Sequence, residues 1–217
     1  MVTEIPTDYL SKLDIRLEQS VTDEMAIPSY THKNPMIRWL FKRRLYTIID
    51  FCKYPTKGRV LDFGTGSGIL LPYLSNNFQK VVGMDLHTDI AKAICEKYNL
   101  KNVELKKIKE KENLPKDKKF DLIICADVLE HVNDVDYTLN EFVKILNKGG
   151  HLIVSGPTES IIYKIGRYLA GFKNEYHHRD IKNIKSCILN SNNFVMKKYV
   201  RIPALMPLFE VFLFEKS

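Results

Sequence analysis

The sequence predicts an α/β fold: a doubly wound, mostly parallel sheet with helices on both faces, ending in an antiparallel pair of strands. Three observations carry that expectation. From Gly58 onward, short runs rich in Val, Ile and Leu alternate with longer stretches whose apolar residues recur at helical spacing, and such alternation specifies a parallel sheet covered on both sides. The first apolar run passes into a glycine-rich turn, VLDFGTGSG over 60–68, where a strand would meet a helix. The last two strand candidates are joined by the proline-bearing RIPALMP, which is too short for a crossover helix and so calls for antiparallel pairing.

The elements follow in order. Residues 1–57 precede the first sheet strand and read as a helical N-terminal elaboration that caps a ligand cleft. Within it, MIRWLFKRRLYTIIDF (36–51) places Ile37, Leu40, Phe41, Leu45 and Ile48 toward the sheet, with its basic residues expected in water. Strand-like runs are RVLDF (59–63), KVVGMD (80–85), NVELKK (102–107), FDLIICA (120–126) and HLIVSG (151–156); several are nearly continuously apolar, as strands buried on both faces are. Helical spacing marks 67–76, 88–99 and 134–147, with Ile90, Ala91, Ile94 and Cys95 as one stripe and Leu139, Phe142, Val143 and Leu146 as another. Past Gly156, residues 158–172 read as a helix with Ile161, Ile162, Ile165 and Leu169 inward and Gly171 as its stop signal. This helix lies within a lid-like insertion at about 157–180. A helix over 181–190 and the strands FVMKKYV (194–200) and LFEVFLF (208–214) complete a ligand-binding domain over 58–217.

Composition bounds the partners. A chain of 217 residues with 45% hydrophobic content can bury one sizeable core. Its net charge of +7 is compatible with nucleic acid, an anionic membrane surface or an anionic small substrate. The lysines of 101–119 are interleaved with glutamates, the pattern of a solvated loop and strand edge. Cys52, Cys95, Cys125 and Cys187 are far apart and form no CxxC pair, which suggests neither a zinc ribbon nor a disulfide framework and suits a reducing cytoplasm. No apolar run approaches the roughly 20 residues of a membrane span, and MVTEIPTDYLSK has no basic segment followed by an apolar one.

The glycine turn raises a chemical question. A dinucleotide loop spaces its glycines GxGxxG and opens a helix N-terminus to pyrophosphate. Here Gly64, Gly66 and Gly68 are spaced GxGxG, Ile69 stands where the last glycine would fall, and Asp62 adds a carboxylate just before them. That charge repels phosphate and attracts an α-ammonium, directly or through water. Asp85, ending KVVGMD, is placed to accept hydrogen bonds from both hydroxyls of a ribose. Together these residues describe a nucleoside joined to an amino acid.

With LPKDKKFDLIICADVLEHV (114–132) and LNKGGHLIVSGP (146–157) following in order, the chain resembles the class I S-adenosylmethionine-dependent methyltransferases, in their small-molecule, type 11-like branch. The resemblance is dense over about 58–157. It implies a seven-stranded sheet with its last strand inserted antiparallel. It also implies that Asp62, Gly64, Thr65, Gly66 and Gly68 surround the methionine moiety, that Asp85 and Leu86 hold the ribose and adenine, that Glu110 faces the adenine amino group, and that Asp127, Val128 and Leu129 line the cofactor's open side.

For the methyl acceptor, Ala126-Asp127-Val128-Leu129 stands where base-amine methylases carry (Asp/Asn)-Pro-Pro-(Tyr/Phe), so DNA is not expected as a substrate. The segment Asp127-Val-Leu-Glu130-His131 is similar to the motif with which some O-methyltransferases hold a divalent cation; in metal-free relatives its histidine lines the pocket or caps a helix. His177 and His178, within Tyr176-His-His-Arg179 above the expected cofactor, are candidate bases beside His131, with Glu159 and Tyr163 bordering the same pocket. Arg38 with Arg43 or Arg44 is suited to an anionic substrate, and a basic helix bearing Trp39 can also lie on an anionic membrane. The expected reaction is methyl transfer to a small molecule or a lipid or envelope precursor, at oxygen. RNA methylation, for which no appended RNA-binding domain is recognisable, and non-catalytic cofactor binding are the alternatives.

Overall fold

The computed structural model describes residues 29, 30, 32–108, 114, 115, 117–158 and 180–217. Seven strands, β1 (Arg59–Phe63), β2 (Lys80–Asp85), β3 (Val103–Lys107), β4 (Phe120–Ala126), β5 (Leu146–Pro157), β6 (Phe194–Ile202) and β7 (Phe209–Lys216), form one sheet in the order β3-β2-β1-β4-β5-β7-β6. The first five pair in parallel, and β7 runs antiparallel between β5 and β6. The expected doubly wound sheet with an antiparallel closing strand is therefore present.

Five described helices cover it: α1 (Pro35–Phe51), α2 (Leu71–Asn77), α3 (Asp89–Lys97), α4 (Val135–Ile145) and α5 (Ile181–Asn190). Successive strand residues point to opposite faces, and two core clusters result. Val60, Val81, Leu122 and Ile153 pack against α1, α2 and α3 through residues such as Leu45, Leu74 and Ile94. Leu61, Val82, Ile123 and Leu152 pack against α4 and α5 through Phe142, Ile184 and Ile188. No described helix is long and apolar enough to cross a membrane.

Several boundaries move from the sequence reading for local reasons. The helix expected from residue 67 begins at Leu71, because Gly64, Gly66 and Gly68 all have positive φ, which right-handed helix excludes. The α1 helix starts one residue early. Pro35 occupies its first turn, and the Asn34 side chain accepts a hydrogen bond from the Met36 amide at 2.9 Å, a favourable N-cap. The strand expected as HLIVSG runs from Leu146, since its first residues still pair with β4 at Phe120. The predicted helix over 158–172, most of the lid-like insertion and the first 28 residues fall outside the described residues.

The sheet order positions the site. β1 lies between β2 and β4, so the chain leaves it toward opposite sides, and a crevice opens at the carboxyl ends of these strands. In register, Phe63 sits level with Met84 on one side and Cys125 on the other. The turn after β1, the end of β2 and the turn after β4 therefore converge at one edge.

Candidate functional site

At that edge lies a cleft of about 250 Å³. The glycine turn forms its floor. The amides of Gly64 and Thr65 both donate to the Met84 carbonyl, at 2.8 and 3.0 Å, which pins the turn to the end of β2. Gly64 has φ +77°, and a Cβ there would stand 2.4 Å from Val128 Cγ2, so only glycine lets the turn after β4 approach this closely. Gly68 serves a different purpose. It does not line the cleft, and a Cβ there would meet Ala91 Cα of α3 at 2.9 Å; its role is close packing of the helix that follows β2.

Besides Asp127, two carboxylates line the cleft. Asp62 is buried, and Thr65 Oγ1 donates to its Oδ2 at 2.7 Å. Burial pushes this carboxyl up to about 6, the Thr65 hydrogen bond works against the rise, and the nearby charge of Asp85 adds to it. Asp85 is half-buried at the end of β2, its Oδ2 accepting from the Gly66 amide at 2.7 Å and its Oδ1 from the His87 amide at 3.0 Å. Each oxygen keeps acceptor capacity beyond that bond.

The third charge comes from α1 and corrects the expectation that its basic residues face water. Arg44 is buried and lines the cleft. Its Nη1 forms an ion pair with Asp127 Oδ2, and its Nη2 donates to the Tyr30 hydroxyl at 2.8 Å. The guanidinium lies over the rings of Phe209 and Phe41, at 5.0 and 5.2 Å from their centroids, a cation–π environment that holds a cation out of water. Asp127 has φ +56° and also accepts from Ser155 Oγ at 2.9 Å, while its amide donates to the Ser155 carbonyl at 3.0 Å.

Of the residues expected around a cofactor, Asp62, Gly64, Thr65, Gly66, Asp85, Leu86, Asp127 and Val128 line this one cleft, as does His131. Leu129 does not. It is 1% exposed within the core cluster under α4, because the single 3₁₀ turn Leu129–His131 folds it beneath the sheet edge. Tyr30, Leu45 and Ile108 line the cleft and were not anticipated; no sequence motif marks them, since they reach the site from separate elements. Glu110, Glu159, Tyr163, His177 and His178 lie outside the described residues.

The expected cation site at Asp127, Glu130 and His131 is not formed. Asp127 is engaged by Arg44 and Ser155, Glu130 is 1% exposed within the fold, and His131 is exposed at the cleft. Among the described residues no group of three His, Cys, Asp or Glu is placed to hold a metal ion.

Residues 36–197 match a family model described as a methyltransferase domain. Over 100 residues the chain is 34% identical to a ubiquinone biosynthesis O-methyltransferase of Pelagibacter ubique, covering 45% of this chain and 41% of that protein. The chain thus spans about two fifths of the length of the curated relatives it matches. In fold it is similar to the N-methyltransferase NodS from Bradyrhizobium japonicum, solved in complex with S-adenosyl-L-homocysteine, with a TM-score of 0.69 at 16% identity over 92% of this chain and 97% of that one. It is also similar to a SAM dependent methyltransferase from Aquifex aeolicus, with a TM-score of 0.65 at 18% identity over 93% and 100% of the two chains.

Proposed function

The chain belongs to the methyltransferase-domain family, among the class I S-adenosylmethionine-dependent enzymes, and from this premise we propose that it methylates a hydroxyl of a small-molecule acceptor. The observation that supports the reading is the charge pattern of the cleft: the carboxylates of Asp62 and Asp85, and a third, Asp127, paired with a buried guanidinium, around a glycine turn. That pattern complements a ligand bearing an ammonium, a carboxylate and a ribose.

The residues fit the cofactor. Asp62 receives the α-ammonium, directly or through water, and Asp85 accepts from the ribose hydroxyls while its bonds to Gly66 and His87 hold it in place. Leu86 and Ile108 supply apolar surface for the base. Arg44 takes the carboxylate: its Nε is buried without a hydrogen-bond partner among the described residues, and a bidentate carboxylate suits a guanidinium fork. Asp127 holds that guanidinium in place until the ligand's carboxylate arrives. Because Arg44 closes the wall, α1 acts as a cap on the domain that begins at residue 58.

When bound, the cofactor supplies a methyl group on a sulfonium, and its transfer is an in-line displacement for which positioning provides much of the rate. A hydroxyl acceptor must also lose its proton. His131, exposed at the cleft, is the described residue assigned to take it, with His177 and His178 as further candidates. Oxygen as the acceptor atom and a small or lipid-like acceptor accord with the O-methyltransferase named among the relatives. Replacing His131 by alanine is expected to lower turnover about 100-fold with S-adenosylhomocysteine affinity unchanged. Weakened affinity at full turnover would remove the base role.

Ligand binding should depend on pH through Asp62. Its unliganded carboxyl titrates near 6, above its ordinary value, so it is ionised above that pH and neutral below it. Only the ionised form attracts an ammonium. S-adenosylhomocysteine affinity should therefore be full near pH 7 and fall as pH drops through 6, becoming about tenfold weaker at pH 5. Calorimetry across this range reads the effect, and Asp62→Asn should flatten it. A flat profile for the unaltered protein would take Asp62 out of the ammonium site.

A further inference from the structure

The α1 helix that walls the cleft has a second face. Inward it buries Leu40, Arg44, Leu45, Ile48 and Phe51. Outward, at spacings of three or four residues, it presents Met36, Trp39, Arg43 and Tyr46, with Met36 64%, Trp39 53% and Tyr46 44% exposed. A stripe at this spacing is one continuous helix face. It is apolar and aromatic, and it bears the Trp39 that the sequence reading associated with an anionic membrane.

The charges around it are basic except at its end, where exposed Asp50 pairs with Lys53 at 2.7 Å. From Lys33 to Ile49 the chain carries Lys33, Arg38, Lys42, Arg43 and Arg44 and no acidic residue. Arg44 is spent inside the cleft on Asp127, and Arg38 is tied to the carbonyls of His32 and Lys33, which leaves its charge intact. Arg43 feels the charge of Asp50, whose contact ion pair is with Lys53. A second exposed apolar tip adjoins this helix. The turn between β6 and β7 exposes Leu205 (97%) and Met206 (60%) and leads into Phe209, whose ring packs edge-on against Phe41 of α1 at 5.0 Å. Tyr54, just past the helix, is set apart from the stripe, since the Lys198 ammonium sits 4.2 Å over its ring.

We propose that this face of α1 is a docking surface for an anionic bilayer, with Met36, Trp39 and Tyr46 in the headgroup layer and Lys33, Lys42 and Arg43 against lipid phosphates. A helix that is basic on its flanks and aromatic along one stripe lies in such an interface, held by apolar burial and by attraction to anionic lipid together. A second copy of the chain is a poorer occupant. A two-fold pairing of this face would set Lys42 and Arg43 against their own copies, and like charges brought together oppose association. An acidic protein surface would satisfy the same cations, but it predicts no response to lipid vesicles, which the assay below reads.

The chain has one tryptophan, Trp39, so its fluorescence reports this face alone. Mixing the ligand-free protein with vesicles of equal parts phosphatidylglycerol and phosphatidylcholine is expected to shift the emission to the blue and to carry the protein into the vesicle pellet. Vesicles of phosphatidylcholine alone should do neither, and high salt should reverse both. Lys42→Glu with Arg43→Glu should weaken co-sedimentation at least about tenfold, with melting temperature and S-adenosylhomocysteine affinity unchanged. Absence of a shift on anionic vesicles, equal binding to zwitterionic ones, or a blue shift without vesicles accompanied by a doubled mass would each overturn the proposal. The assay needs neither cofactor nor turnover, so its failure is distinguishable from failure of the methyltransferase reading.

Discussion

Replacing Arg44 by methionine should lower stability by about 3 kcal/mol, or about 10 °C in Tm, because removing one member of a buried ion pair strands the other. The same change should weaken S-adenosylhomocysteine binding at least about tenfold, as loss of a charge-assisted bond does. Arg44 contributes on both accounts: its side chain is 3% exposed, it neutralises Asp127, and it faces the cleft. The double variant Arg44→Met with Asp127→Asn separates them. With no stranded carboxylate, much of the lost stability should return, whereas ligand affinity should stay low. Thermal unfolding and calorimetry on the wild type, both single variants and the double variant complete the cycle. An Arg44→Met protein that binds the ligand as tightly as wild type would dismiss the guanidinium as the carboxylate's partner.

Asp85→Ala is the second large effect. Its carboxylate fastens the amides of Gly66 and His87 across the gap between the glycine turn and the end of β2, and in the proposed complex it also accepts from the ribose. Loss of these charged hydrogen bonds should reduce S-adenosylmethionine affinity by about 2 kcal/mol or more, roughly 30-fold. Asp85→Asn keeps the shape but removes the charge and turns one oxygen into a donor, so it should recover only part of the loss. If the alanine variant bound S-adenosylmethionine as tightly as the unaltered protein, the ribose assignment would fail.

Much of this site is legible in the amino-acid sequence. The spacing of Asp62, Gly64, Thr65, Gly66 and Asp85 is local in sequence, one strand–turn–helix unit and the end of the next strand, and local backbone rules decide it. The strands were legible for a similar reason, since runs such as FDLIICA are too continuously apolar for a surface element. Leu129 and Gly68 show where that reasoning stops. Both sit in the right motif, yet one turns under the sheet and the other serves the approach of α3. Motif spacing fixes a residue's neighbourhood but not the direction of its side chain.

The sheet, its winding, the antiparallel closure and the glycine turn with its flanking carboxylates can be read from the residues, because each follows from hydrophobic period or from conformations only certain residues adopt. Tertiary structure alone decided that Arg44 turns inward between Phe41 and Phe209 to meet Asp127, and that Trp39 turns out. An amphipathic pattern ranks a basic residue as solvent-facing. A partner 83 positions away in the chain, brought near only when β4 takes its place beside β1, reverses that ranking by supplying the opposite charge at short range in a medium of low dielectric.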